Sequence, residues 1–260
     1  MADNVFKDAE GVLFDCDGVL YVGGQMIDGA DRALKHARER GLPCRFTTNT
    51  TTRSLKSLHE KLVGLGLPIE AGEVFGVIRA AQSYLEQQAD PVCYLLLSDD
   101  PREDFSQFRQ SDEKPTHIVV GDVGKEWDYA LMQRCFDMVM DGAKLVALHK
   151  GKYWQTEVGL RMDIGAFVAG LEFVTDTTAT VIGKPSPDFF RLALNDMGLE
   201  ASQVVMVGDD LTNDIGGAQR VGMKGVLVRT GKFRQELVDR SDISPDMIID
   251  SIADIEHLLP

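Results

Sequence analysis

Short apolar runs recur along the chain, and each one stops in polar residues. Gly11-Val12-Leu13-Phe14-Asp15, Pro43 to Thr47, Ala179 to Gly183, Val204 to Gly208, Gly225 to Arg229 and Met247 to Asp250 all have this form. Between them the period changes. Ala30, Ala33, Leu34 and Ala37 recur at helical spacing, with Gly41 as a stop. Leu55, Leu58, Leu62 and Leu65 form another stripe. In KPSPDFF, Ser186 is placed as an N-cap and Pro187 as the first helical residue. Continuous apolar strands alternating with amphipathic helices predict a parallel sheet covered on both faces.

The middle of the chain reads differently. Val92 to Leu97 and His117 to Gly121 are strand candidates, a helix is expected near Tyr129 to Met140, and Lys144 to Leu148 is a further strand. Acid-rich linkers, SDDPREDF and QSDEKP, lie among them. This grammar predicts an inserted second domain, residues 80–179, with 1–79 and 180–260 joining into one catalytic sheet.

Charge narrows the choice of ligand. The net charge is −14, from 27 basic and 41 acidic residues. Such a surface repels nucleic acid and anionic membrane, which need a positive footprint. A small anionic substrate would then need a metal or a few placed cations. Cys16, Cys44, Cys93 and Cys135 form no CxxC pair and are expected as free thiols in a reducing compartment. The start, MADNVFKDAEG, has no signal-peptide h-region, and no apolar stretch is long enough to span a bilayer. A cytoplasmic address is expected by elimination.

Four constellations sit at predicted strand ends. Asp15-x-Asp17-Gly18 puts two carboxylates together, so that either one is protonated or a cation neutralises them. TTNTT follows the second strand and can bind a phosphate through hydroxyl, amide and N–H groups, or simply cap a helix. Lys184, held by Pro185, can meet an anion or lie in a surface turn. Val207 to Asp214 adds Asp209, Asp210 and Asp214, which suit Mg²⁺ as hard ligands or a helix start as caps. Each signal alone is weak. Together they supply acids, a metal site, a hydroxyl and a cation, the set phosphoryl transfer needs.

The order DxDG, TN, K, GDDxxND resembles the haloacid-dehalogenase-like (HAD) superfamily of phosphatases. FTTNTT, ALHKGKYW and ATVIGKPSPDFF are further similar to its subfamily IIA, the NagD type, and to the group that contains phospholysine phosphohistidine inorganic pyrophosphate phosphatase. Some members of that group carry serine at the second acidic position; here Asp17 is present. The implied fold class is α/β: a Rossmann-like, doubly wound parallel-sheet core with an inserted α/β cap of the C2 type.

The resemblance implies roles residue by residue. Asp15 is the expected nucleophile, forming an aspartyl-phosphate, and Asp17 the general acid and base. Mg²⁺ is expected on Asp15, the backbone carbonyl of Asp17 and Asp209, with Asp214 supporting directly or through water and Asp210 left open. Thr48, Asn49 and Lys184 are expected on the phosphoryl oxygens, Thr48 being preferred to Thr47 because it directly precedes the asparagine. His149, Lys150, Lys152, Tyr153 and Trp154 are the cap cluster that would read the leaving group, or an ordinary strand-turn-strand. A homodimer packed through the caps is a family expectation. Three other readings remain: a receiver domain phosphorylated on aspartate, a binding protein that kept the fold, and a metal-free dehalogenase. Length, the complete acid set and the Asp209 cluster weigh against them in turn.

Overall fold

The computed structural model describes residues 4–156 and 159–259. It divides into two compact units. The first comprises residues 4–48, 58–76 and 184–259, and the second 49–57 and 77–183. The stretch 80–179 expected as an insertion lies inside the second.

The first unit holds a six-stranded sheet. Its spatial order is Met247–Ile249, Lys224–Val228, Val204–Gly208, Gly11–Asp15, Cys44–Thr48, Val74–Gly76, and every pairing is parallel. The two central strands, GVLFD and VVMVG, are buried along their whole length. That explains their unbroken apolar runs, because helices cover both faces of such a sheet. Helix Ala30–Glu39 buries Ala30, Ala33, Leu34 and Ala37, the residues its period picked out. Helix Pro187–Met197 buries Phe189, Phe190, Ala193 and Leu194. Phe14 stacks on Phe46 at 5.9 Å, and Phe75 meets Phe189 edge-on at 5.5 Å. Each buried phenyl ring is worth about 1.5–3 kcal/mol of transfer free energy.

Strand order fixes where a ligand can bind. The chain runs outward in one direction from Gly11–Asp15 and in the other from Val204–Gly208, and these two strands are neighbours. Their following loops therefore part and leave a crevice at the carboxyl edge. Asp15 and Asp209 stand at that edge.

The second unit has its own five-stranded parallel sheet, ordered Thr180–Val181, Lys144–Ala147, His117–Val120, Val92–Leu96, Arg109–Gln110. Helices Tyr129–Met140 and Gly165–Thr175 bury Cys135, Met138, Val139, Val168 and Leu171 in its core. Trp127 stacks on Phe167 at 4.2 Å. A hairpin, Tyr153–Thr156 with Gly159–Met162, completes the strands.

One expectation is corrected here. Ala179 to Gly183 was expected to be a strand of the catalytic sheet. Thr180 and Val181 instead pair with Val146 and Ala147, as an edge of the second unit's sheet. An apolar run shows a buried strand, not which sheet takes it. A strand of the first sheet was also missed: Val74–Gly76 is too short to give a pattern of its own.

Candidate active site

The site grows from the ends of the two central strands. Asp15 ends its strand buried, and Asp209 directly follows Gly208 and is also buried. Asp214 joins them because the chain past Asp210 winds as a π-helix, Leu211–Gly216. The wider turn brings Asp214 back against the strand end, where its Oδ2 accepts the Asp210 N–H at 3.1 Å. Asp15, Asp209 and Asp214 each place a carboxylate oxygen within 4.8 Å of the other two.

Lys184 enters this cluster from the start of the segment that leads into helix Pro187–Met197. Its ammonium is buried and donates to Asp15 Oδ1 at 2.5 Å and to Asp214 Oδ1 at 2.7 Å. Burial alone would lower the lysine pKa, but the two carboxylates outweigh it and hold the group well above its ordinary value. It stays charged.

The cluster sets three acids around one directly bonded ammonium, with the Lys232 charge nearby. Burial raises the Asp209 carboxyl, and the charges of Asp15 and Asp214 push it further, up to about 8. The Lys232 N–H, which Asp209 Oδ2 accepts at 2.7 Å, works the other way. Burial likewise pushes Asp214 up to about 6, with Lys184 opposing and Asp15 and Asp210 adding. Asp209 Oδ1 is buried and has no hydrogen-bond partner among the described residues. An unanswered carboxylate oxygen amid three hard oxygen donors fits a divalent cation such as Mg²⁺. The donor set contains no soft ligand.

Asp210 is different. Its Oδ1 accepts the N–H groups of Thr212 at 3.1 Å and Asn213 at 2.9 Å, and its Oδ2 accepts the Asn213 amide at 2.8 Å. Burial would raise its carboxyl, but the Asn213 bonds and the charges of Lys232 and Lys184 hold it below the ordinary value. Asp210 is the cap of the π-helix.

The other expected residues are placed as follows. Asp17 is exposed just past the strand end and is not among the acids that converge. Gly18 makes the turn at φ +89°. Cys16 is fully buried, and burial with the Asp15 charge pushes its thiol far up, so it packs as a neutral group. Thr47 donates its hydroxyl to the Phe14 carbonyl at 3.1 Å, a structural bond, which leaves Thr48 at the strand end. Thr48 is buried at the same edge as Asp15, whose strand partner is Thr47. Asn49 belongs to the second unit, where its amide faces Gly183.

In the cap cluster, His149 Nδ1 accepts the Gly151 N–H at 3.1 Å, and Lys150 pairs with Glu172 at 2.5 Å. Lys152 and Tyr153 are exposed, and the Trp154 side chain lies outside the described residues. The backbone here is strand, turn and hairpin.

Sequence reasoning passed over Thr230-Gly231-Lys232. It follows the buried strand Lys224–Val228, so the same strand-then-polar grammar marks it.

The comparisons with known proteins bear on this geometry. A family model described as haloacid dehalogenase-like hydrolase matches residues 12–109, and a second, HAD-hydrolase-like, matches 181–255. The chain is 39% identical over 250 residues to haloacid dehalogenase-like hydrolase domain-containing protein 2 of Bos taurus, covering 95% of each. The chain belongs to the haloacid-dehalogenase-like hydrolase family. Within that family it falls in subfamily IIA, the NagD type, and in the phosphatase class. It is 38% identical over 255 residues to the phospholysine phosphohistidine inorganic pyrophosphate phosphatase of Homo sapiens, covering 96% of this chain and 93% of that one. In fold it is similar to the p-nitrophenyl phosphatase from Archaeoglobus fulgidus, with TM-score 0.90, 25% identity and coverage of 96% and 99%. NagD from E. coli gives TM-score 0.87 at 24% identity, covering 95% and 98%. Among the described residues, no helix is long and apolar enough to cross a membrane.

Proposed function

We propose that this phosphatase hydrolyses a small phosphorylated metabolite with Mg²⁺, through a phosphoryl group carried on Asp15. The observation that carries the reading is the Asp15 carboxylate, buried at the switch point, held by Lys184 and set beside Asp209, whose Oδ1 has no partner among the described residues. Asp15, Asp209 and the Asp17 backbone carbonyl would hold the metal, with Asp214 supporting. When bound, Mg²⁺ would add to the Lys184 charge a positive field that favours a phosphoryl group on a chain of net charge −14.

The residues divide the work. Lys184 orients Asp15 and offers its ammonium to the phosphoryl oxygens, which develop charge as the transferring group loosens. The buried hydroxyl-bearing Thr48 binds the same oxygens, a role the resemblance also gives Asn49. Asp15 attacks phosphorus, and the bond to the leaving oxygen breaks. Asp17, exposed and two residues on, protonates that oxygen, then takes a proton from the water that cleaves the acyl phosphate. The human relative is named for phospholysine, phosphohistidine and inorganic pyrophosphate, so P–N and P–O–P compounds are the first to test beside sugar phosphates. Four free, buried cysteines support a cytoplasmic setting.

The test is hydrolysis of p-nitrophenyl phosphate. Turnover is expected with Mg²⁺, and is expected to vanish with EDTA and in Asp15→Asn. Full turnover in Asp15→Asn, or in EDTA, would contradict the reading; a metal-free dehalogenase would be indifferent to the chelator.

A further inference from the structure

Asp209 is gripped from two sides by chain segments far apart in sequence. The Lys232 N–H donates to its Oδ2 at 2.7 Å. The Thr230 hydroxyl donates to the Gly18 carbonyl at 2.5 Å, tying the same turn to the Asp15-x-Asp17-Gly18 loop. Two glycines wall the slot between them. A Cβ on Gly231 would stand 2.0 Å from Asp209 Oδ2 and 2.6 Å from the Gly18 Cα, and one on Gly18 would stand 1.9 Å from the same oxygen. Both have positive φ, +62° and +89°. The carboxylate is thus fixed through Oδ2, while Oδ1 is buried with no partner among the described residues.

We propose that the Thr230-Gly231-Lys232 turn positions Asp209 for the cation: its backbone N–H occupies Oδ2, so that Oδ1 is the oxygen presented. This rests on the Mg²⁺ reading above. The turn touches neither substrate nor the reacting atoms; it acts through Asp209 and the Asp15 loop. Outer partners of metal ligands set ligand orientation in this way. Here the donor is main chain, and the side chain of Lys232 reaches Asp210 instead, at 3.6 Å.

The test is Mg²⁺ titration of the intact chain by calorimetry, with circular dichroism as a check of folding. Gly231→Ala pushes a methyl group into the slot and is expected to raise the Mg²⁺ Kd at least about tenfold. At saturating Mg²⁺, KM for p-nitrophenyl phosphate should change far less, a split that general loosening would not give. Thr230→Val adds no bulk, removes the tie to Gly18 and should raise Kd by a smaller factor. Lys232→Ala keeps the N–H donor and removes a cation from beside the acids, so Kd should hold or fall. An unchanged Kd in folded Gly231→Ala overturns the inference. If that variant does not fold, an unchanged Kd in Thr230→Val overturns it. A tenfold rise in Lys232→Ala would move the role to the ammonium and overturn the main-chain assignment. If the unaltered chain takes up no Mg²⁺, the functional reading itself fails. If it does and Gly231→Ala binds equally well, only the positioning inference fails.

Discussion

Two groups of aspartates meet loop and helix starts in this molecule, and they are used in opposite ways. In the second unit, Asp100 accepts the Ser54 N–H at 2.9 Å and its hydroxyl at 3.0 Å, and takes the Ser57 hydroxyl as well. Asp104 accepts the Leu55 N–H at 2.8 Å. Together they cap helix Leu55–Gly64. The Ser57 hydroxyl, ahead of the Ser54 donors, holds the Asp100 carboxyl below its ordinary value. In the first unit, Asp15, Asp209 and Asp214 are more deeply buried; Asp15 and Asp214 share one ammonium, and Asp209 keeps an oxygen unanswered among the described residues. Asp100 and Asp210, whose oxygens meet donors and whose carboxyls are held below their ordinary value, are architecture. An acid left with an unanswered oxygen is where a cation or a reaction belongs. Asp210, adjacent to Asp209, falls on the architectural side.

The contrast can be broken at several points. The largest effect is expected from Asp15→Asn, which should lower kcat for p-nitrophenyl phosphate by at least about a thousandfold, as loss of a nucleophile does. Steady-state kinetics checks it. Asp209→Asn comes next. It removes charge stabilisation worth several kcal/mol, so activity should fall by about a hundredfold or more, and the metal-free fold should melt higher at alkaline pH. A thermal melt with and without Mg²⁺ reads both effects.

The pH dependence follows from the raised carboxyls of Asp209 and Asp214. Their contribution to the metal-free fold is full below the ordinary carboxylate pKa and is lost as pH rises through about 6 and about 8. Mg²⁺ displaces those protons, so its affinity rises over the same window. The metal-induced rise in Tm should therefore grow from about pH 5 to about pH 8. A flat response would place ionised acids there already.

Smaller effects mark the architectural acids. Asp100→Ala should cost about 1 kcal/mol in denaturant unfolding, the usual worth of a cap, and leave Mg²⁺ affinity unchanged. Asp210→Asn should be smallest, a few tenths of a kcal/mol, because asparagine caps as well as aspartate. A tenfold loss of Mg²⁺ affinity in Asp210→Asn would place that residue with Asp209 and dissolve the comparison.

Much of this was legible from local pattern. The strands ending at Asp15 and Gly208 read plainly because a parallel sheet buried on both faces needs unbroken apolar runs. Helix Ala30–Glu39 begins at the first residue of its stripe and ends two residues past the last, Ala37. What failed was information that pattern does not carry. Ala179 to Gly183 reads as a strand of the catalytic sheet, yet Thr180 and Val181 pair in the other sheet. The start of helix Leu55–Gly64 is capped by Asp100 and Asp104, more than forty residues away in sequence. Asp15 and Asp17 read as a pair in sequence, but the strand ends at Asp15 and Asp17 is exposed beyond it. Ser186 does precede helix Pro187–Met197, although its hydroxyl makes no cap bond there. The turn at Gly231 matters through a close approach to Gly18 and Asp209, and such packing leaves no periodic trace.

The central claim is that phosphorus passes through Asp15, and trapping tests it most directly. Nitrophenolate is a good leaving group and needs little protonation, whereas hydrolysis of an acyl phosphate needs a base. Asp17→Asn should therefore load from p-nitrophenyl phosphate with Mg²⁺ and clear slowly. Acid quench, borohydride reduction and peptide mass spectrometry would then locate the modified residue. The account predicts the reduced label at Asp15 and nowhere else. A label on another residue, or continued turnover with no labelled aspartate, would contradict it.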